Sequence, residues 1–291
     1  MGLSRCLFGA SVSLALLFGA CSEPSLRVGY DDLSAGGIST VGGSAGSANS
    51  GSGGVAGAPA CKVTRCESNK APYQCGDCMD NDGDGLVDAE DPECTGPCDN
   101  DEKYFSSGLP QQSGGNCRRD CYFDRDAGSG NDRCDWSYTC DKLSIAPAFP
   151  PTGESSCAYQ ESASCADLRQ TQDAMCLEVC LPITPNGCDC FGCCELPARS
   201  NNFVWLGSTR NGSPSCDLAH ANDQTACAPC TPVDSCFNHC DDCEVCAGAT
   251  TVGPGCTGST PLCSFGTPCG PRAACPGTTY CISGCCVEVP L

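Results

Sequence analysis

The chain has 291 residues, of which 34 are cysteine, and its formal net charge is −20 at pH 7. This charge excludes proteins that bind nucleic acid or anionic lipid through a basic surface. Aromatic residues make up only 6% of the chain, too few for one broad apolar core. We therefore expect a small disulfide-rich fold: irregular modules with short antiparallel β hairpins and one or two short cysteine-stapled helices.

Residues 1–20 have the features of an export signal. Arg5 supplies positive charge, and residues 7–18 form an apolar run too short to span a bilayer. The run leads to Cys21 through a sequence that resembles the bacterial lipobox, in which this cysteine is lipidated after cleavage. Phe18 stands where that pattern prefers leucine. Ordinary signal cleavage near Ala20 is the alternative.

Residues 21–60 are predicted to form a disordered tether, rich in glycine, serine and alanine, that begins at the lipidated Cys21. The anchor would place the protein in the outer membrane or at the cell surface; without it the protein would be secreted. Cys6 would leave with the signal and Cys21 would carry lipid, so 32 of the 34 cysteines remain. This even number suffices for sixteen disulfides in an oxidising compartment.

Residues 61–160 are predicted to form an acidic calcium-loop module. Oxygen ligands recur at positions 1, 3, 5, 9 and 12 of a loop, with a carbonyl ligand at position 7 and a glycine, Gly85, at position 6. The predicted ligands are Asp80, Asp82, Asp84, the Leu86 carbonyl, Asp88 and Asp91. An aspartate at position 12 reaches the ion less easily than glutamate, so we expect a dissociation constant on the order of 0.1–1 mM. An acidic turn that binds no ion is the alternative.

Cysteines flank this loop where the helices of an EF-hand would run, and a disulfide across its ends, for example Cys78–Cys94, would replace them. A second, irregular calcium site is predicted further along the chain, sharing ligands with Asp99 or Asp101. Its residues are Asp124, Asp126, Asn131 and Asp132. A polar turn held between cysteines is the alternative. Trp136 is predicted to anchor the core.

Residues 161–250 are predicted to combine a cysteine-stapled helix with a small β-sheet. The helix is expected from Cys165 to Leu181, capped by Ser164, with Cys176 and Cys180 on one face. Asn-Gly turns at 186–187 and 211–212 and a strand at 203–206 indicate the sheet. Cysteines at helical spacing predict a second helix at 233–246.

Residues 251–291 are predicted to form a C-terminal cystine-rich module. Its spacing resembles small cystine-rich knots of the toxin or colipase-like sort. A hairpin is expected at 280–287, and the adjacent Cys285 and Cys286 are expected to have different partners.

Three pairs of cysteines separated by two residues, at 75–78, 227–230 and 243–246, have the spacing of half a zinc site. The export signal and the even count favour disulfides instead. The only histidines, His220 and His239, have no nucleophile that the sequence pairs with them. The aspartates cluster in glycine-rich turns, which suit ion coordination better than a substrate cleft. We therefore expect a protein that is not an enzyme.

The segments 80–94 and 185–194 resemble cysteine-rich lipoproteins of the myxobacterial secretome type. Residues 80–91 are also similar to thrombospondin type 3 and dockerin calcium loops, in which the final ligand is likewise an aspartate. The lipoprotein resemblance covers most of the chain but implies little about function. From the loop, the export signal and the cysteine content we expect a calcium-binding surface lipoprotein with a structural or adhesive role and an extracellular protein or polysaccharide partner. A secreted inhibitor acting through the C-terminal module, and a hydrolase using a carboxylate pair, are the alternatives.

Overall fold

The computed structural model describes residues 61–66, 70–107, 117–124, 132–145, 157–160, 162–258, 262–269 and 275–288. The predicted signal peptide, the predicted lipidation site Cys21 and the predicted tether lie outside these ranges, as do Asp126 and Asn131 of the second acidic cluster. No helix within the described ranges is long and apolar enough to span a bilayer.

Fifteen disulfides cross-link the described residues, which confirms the small disulfide-rich fold class. They fall into five consecutive blocks, at 61–98, 117–180, 188–230, 240–256 and 263–286. Cys121–Cys180 spans the predicted module border at 160, and Cys243–Cys256 spans the one at 250. The loops are thus held chiefly by local covalent closure, because the chain has little apolar surface to bury.

The expected Cys78–Cys94 disulfide is wrong. Cys78 is bonded to Cys61, and Cys75 is bonded to Cys94. Residues 61–66 run alongside the loop, where the Thr64 N–H donates to the carbonyl of residue 76 at 2.9 Å. This pairing brings Cys61 beside Cys78 and leaves Cys75 to close the loop.

The single helix predicted from 165 to 181 is wrong, because two shorter helices occupy this region: α1, Ala163–Gln170, and α2, Ala174–Val179. Thr171 ends α1 in an extended conformation, and the Asp173 side chain starts α2 by accepting from the Met175 N–H at 2.9 Å. An aspartate favours this capping position over a helix interior.

The cap of α1 is Ser162, not the predicted Ser164: Ser162 Oγ accepts from the Cys165 N–H at 3.3 Å. The predicted sulfur face is confirmed. Cys176 and Cys180 are fully buried and bonded to two cysteines of the preceding segment.

Eleven short strands of the described residues form antiparallel sheets. They are β1, Arg118–Arg119; β2, Trp136–Ser137; β3, Cys188–Asp189; β4, Cys193–Glu195; β5, Phe203–Trp205; β6, Thr209–Arg210; β7, Ser213–Pro214; β8, Phe237–Asn238; β9, Thr267–Pro268; β10, Thr279–Ile282; and β11, Cys285–Glu288. The sheet orders are β1-β2, β5-β4-β3-β8, β6-β7 and β10-β11-β9. The predicted strand at 203–206 and the C-terminal hairpin are confirmed as β5 and β10–β11.

The hairpin turn between β6 and β7 follows the sequence prediction. Asn211 and Gly212 have φ of 54° and 79°, which a two-residue turn matched to the strand twist requires.

The helix predicted at 233–246 is wrong, since residues 237–238 form β8 and pair with β3. Asp189 of β3 draws this segment in by accepting from the Val233 N–H at 2.9 Å.

The largest core cluster joins residues 121–236, and it contains Trp136 with no exposed surface, as predicted. Arg119 lies buried beside it. Its guanidinium carbon is 4.8 Å from the centroid of Tyr122 and 5.7 Å from that of Trp205, and it donates to two backbone carbonyls. A buried charge is tolerated here because it is both hydrogen-bonded and stacked on aromatic faces.

Candidate calcium site

Residues 79–85 form an exposed turn in which the backbone N–H groups of Gly83, Asp84 and Gly85 donate to aspartates of the turn itself. The two carboxylate oxygens of Asp80 accept from the N–H groups of Gly83, at 2.6 Å, and Gly85, at 3.1 Å. These glycines have φ of +87° and +97°, a region that favours glycine over other residues. Gly85 is therefore the sharp-turn residue that the sequence predicts at position 6.

Asp82 and Asp84 extend the pattern. Oδ1 of Asp82 accepts from the Asp84 N–H at 3.0 Å, and Oδ1 of Asp84 accepts from the Leu86 N–H at 2.7 Å. Among the described residues, no donor reaches the second oxygen of either carboxylate or the Leu86 carbonyl oxygen. The turn thus presents four of the predicted ligands, with free acceptor atoms on three of them.

Asp88 is placed differently. Its carboxylate accepts from the Cys78 N–H at 3.2 and 3.3 Å, which ties the end of the loop to its beginning. Burial, reinforced by the negative charges of Asp77 and Glu102, raises the pKa of Asp88 to about 6. The residue begins the short turn Asp88–Glu90 with a φ of 50°. Its carboxylate therefore braces the loop base in this structure.

Asp91, the predicted final ligand, is 3% exposed. Its Oδ1 accepts from the Glu93 N–H at 2.8 Å, whereas no N–H donor of the described residues reaches its buried Oδ2. Burial, followed by the negative charge of Glu93 and a hydrogen bond shared with the Glu93 carboxyl group, raises the pKa of Asp91 to about 8. A buried carboxylate oxygen without a donor costs free energy, so protonation or a bound cation would stabilise this group.

Glu102 is a candidate site residue that the sequence does not predict. It is fully buried, and its two oxygens accept from the N–H groups of Asn81, at 2.5 Å, and Asp88, at 2.9 Å. One of its oxygens lies within 4.8 Å of an Asp91 oxygen. Burial and the charge of Asp82 raise its pKa. The sequence shows Glu102 only as part of a neighbouring acidic cluster, and the fold alone brings it under the loop.

The negative charge of this site has no basic partner within the described ranges. Among the described residues, no lysine or arginine forms an ion pair with the loop carboxylates. The ion pairs that occur there are Arg118–Asp135, Arg133–Asp173 and His220–Asp217. Several carboxylates and a carbonyl, with no compensating cation, are the donor set that Ca²⁺ prefers. Residues of this chain therefore fit a hard divalent ion at this loop.

The zinc alternative is wrong for the three cysteine pairs. All six cysteines are in disulfides, and none is bonded within its own pair. The bonds are Cys61–Cys78, Cys75–Cys94, Cys193–Cys230, Cys216–Cys227, Cys240–Cys246 and Cys243–Cys256. Sulfur atoms in disulfides are not thiolate ligands, so no zinc site forms from them.

The second predicted site is described only in part. Asp124 is buried and lines a cavity of about 20 Å³ together with Asp99 and Tyr122. Asp132 is also buried, and its Oδ1 accepts from the Cys134 N–H at 3.0 Å. A shared role of Asp99 and Asp124 stays a prediction, as does the site as a whole.

The loop is joined to a distant part of the chain through Glu93. One of its carboxylate oxygens accepts from the Leu218 N–H at 2.8 Å, next to an exposed Asp217–His220 pair. This hydrogen bond attaches the C-terminal end of the loop to the turn at residues 218–220.

Comparison of the chain with protein-family models, with curated proteins and with solved structures finds no match.

Proposed function

We propose that this protein is a calcium-binding, disulfide-stabilised lipoprotein with a structural or adhesive role at the cell surface, and that it is not an enzyme. The fifteen disulfides indicate an extracytoplasmic protein. Lipidation at Cys21 would hold it at a membrane, and an extracellular protein or polysaccharide would be its partner. These finer assignments rest on the sequence features described above.

One observation supports the calcium assignment: no N–H donor among the described residues reaches the buried Oδ2 of Asp91, and the Asp91 carboxylate lies close to those of Glu93 and Glu102. Without an ion, this oxygen is neutralised only by protonation, for which its raised pKa of about 8 leaves room at neutral pH. A Ca²⁺ ion would compensate Asp91 together with Asp80, Asp82, Asp84 and the Leu86 carbonyl.

Calcium would act here as a structural cross-link added to the covalent ones. The disulfides Cys61–Cys78 and Cys75–Cys94 fix the base of the loop, but residues 79–85 are exposed. An ion would hold this exposed turn against the buried Asp91. The rigid turn would then present a fixed acidic surface to a partner, which suits adhesion better than catalysis.

The test is the stability of the full-length chain with and without the ion. With a dissociation constant of about 0.1–1 mM, 10 mM Ca²⁺ raises the free energy of unfolding by about 1.4–2.7 kcal/mol relative to chelator. Mg²⁺ at the same concentration should have a smaller effect, because it dehydrates reluctantly. Asp82→Asn should abolish the shift, whereas Asp234→Asn, at an exposed position far along the chain, should retain it. Equal stability of the wild-type chain in Ca²⁺ and chelator would refute the proposal.

A cleft of about 870 Å³ favours partner binding through the C-terminal module as a second candidate function. It lies between α2 and the C-terminal sheet, and its apolar lining includes Val179, Phe265 and Val287, with Glu178 and Glu288 as its carboxylates. A hydrolase using a carboxylate pair is the remaining alternative, and these two glutamates are a candidate pair for it. Inhibition of secreted proteases that is lost in Val179→Asp would support binding. Hydrolysis of a glycoside that is lost in Glu288→Gln would support the enzyme.

A further inference from the structure

Two cysteines of the described residues, Cys190 and Cys236, are not in disulfides, and both are buried. The positions of these two cysteines are set by the pairing of β3 with β8, in which Cys188 lies opposite Asn238 and Asp189 lies opposite Phe237. The next antiparallel step places Cys190 opposite Cys236. Directly opposed residues on neighbouring strands have Cβ atoms about 4.5–5.5 Å apart, close to the separation that a disulfide needs.

The contacts of the sulfur atoms agree with this register. Cys190 Sγ lies 3.5 Å from the carbonyl oxygen of Cys236. The other sulfurs beside it, those of Cys134 and Cys180, lie within 4.8 Å but are already bonded to Cys176 and Cys121. Cys236 is therefore the one cysteine among the described residues that is both adjacent and available.

The same sheet shows that an opposed pair can be bridged. Cys188 of β3 and Cys194 of β4 are register partners, and a disulfide joins them with a Cα–Cα distance of 4.0 Å. A bond between Cys190 and Cys236 would link β3 to β8, just as Cys188–Cys194 links β3 to β4 on its other edge.

This bond would also fasten β8 to β3. None of the fifteen bonds joins residues before 231 to residues after 235, so Cys236 lies between the 188–230 and 240–256 blocks. We propose that Cys190 and Cys236 form a sixteenth, cross-strand disulfide in the mature protein, and that this bond holds β8 on β3 and extends the 188–230 block to residue 236.

The reaction is a thiol–disulfide exchange. The Cys190 and Cys236 thiols lose two protons and two electrons as their S–S bond forms, and the disulfide of a thiol–disulfide oxidoreductase is reduced to two thiols. Because the attacking species is a thiolate, exchange needs access and deprotonation. Burial raises the pKa of the Cys236 thiol, and neither sulfur is accessible in the folded chain. The bond must therefore form before β8 docks on β3, or during its local opening.

The test is differential alkylation of the full-length chain after export into an oxidising compartment. Free thiols are labelled with light N-ethylmaleimide in denaturant, the protein is reduced, and the released thiols are labelled with the heavy reagent. Peptide mapping should find only heavy label on Cys190 and Cys236, as on the control pair Cys188 and Cys194. Light label on both Cys190 and Cys236 would overturn the proposal.

The variant Cys236→Ser identifies the partner. It should convert Cys190 from heavy to light label and leave the control pair heavy. Retention of heavy label on Cys190 in this variant would mean that Cys190 is bonded elsewhere, which also overturns the proposal. Mapping of the wild-type chain decides the question by itself if the variant fails to fold.

Discussion

Replacing Glu102 by glutamine tests whether a residue outside the loop shapes the calcium site. Glu102 is fully buried, and its two oxygens each accept one N–H, from Asn81 on one side of the loop and from Asp88 on the other. Glutamine has the same shape but only one acceptor oxygen. In Glu102→Gln, one of these two N–H groups therefore faces an NH₂ group.

The size of the effect follows from that mismatch. A buried donor left without an acceptor costs about 1–3 kcal/mol. Because the disulfides keep the rest of the module folded, we expect this free-energy cost to destabilise the calcium-binding conformation of the loop. Residues that support metal ligands typically change affinity by about 10- to 100-fold when they are replaced. We therefore expect the calcium dissociation constant of Glu102→Gln to rise about 10- to 100-fold.

Isothermal titration of Ca²⁺ into the metal-free chain measures this change. The matched control is Glu90→Gln, which removes the same charge from an exposed position in the same segment and should alter affinity by less than about 2-fold. The reasoning fails if Glu102→Gln binds as the wild-type chain does. It also fails if both variants weaken binding equally, since net charge rather than hydrogen bonding would then explain the loss.

Three further predictions concern stability. Burial raises the pKa of Asp189 from 3.8 to about 7. The Asp189 carboxyl group thus keeps its proton in the folded chain at pH values at which the unfolded chain has lost it. The free energy of unfolding measured in urea should therefore fall as the pH rises from about 4 to 7, and it should fall less steeply in Asp189→Asn. An equal dependence on pH in the two proteins would contradict this prediction. Gly85→Ala should cost about 1–2 kcal/mol in thermal unfolding, because the φ of +97° disfavours a side chain although nothing lies within 4 Å of an added Cβ; unchanged stability would refute it. Removing Cys75–Cys94 with a double alanine variant should lower stability by about 3 kcal/mol and weaken calcium binding; binding of unchanged strength would show that the loop closes without the bond.

Local features of the sequence predict much of this fold. Asn211-Gly212 and the Tyr280–Val287 segment fold as the predicted hairpins, because turn residues and strand alternation act over a few residues. The sulfur face of Cys176 and Cys180 is also correct, since helical spacing fixes it. The export signal and an even cysteine count favour disulfides, and the structure confirms them for the described residues.

The wrong predictions concern features that are set by contacts with residues distant in the sequence. The segment at 233–246 has helical cysteine spacing, yet a hydrogen bond to Asp189 and pairing with β3 hold residues 237–238 of it in a strand. The partner of Cys78 depends on where residues 61–66 lie, which spacing within the loop does not specify. Glu102 supports the loop from a position that only the tertiary fold brings near. The sequence therefore identifies the loop, its turn and its own aspartates, but not the support that Glu102 gives to the loop.

Direct measurement of Ca²⁺ binding to the chelator-treated full-length chain is the clearest test of the central claim. By equilibrium dialysis at neutral pH, we expect saturable binding with a dissociation constant of about 0.1–1 mM, lost in Asp82→Asn and kept in Asp234→Asn. No binding up to 10 mM Ca²⁺, or binding that survives Asp82→Asn, would contradict the assignment of residues 80–91 as a calcium loop.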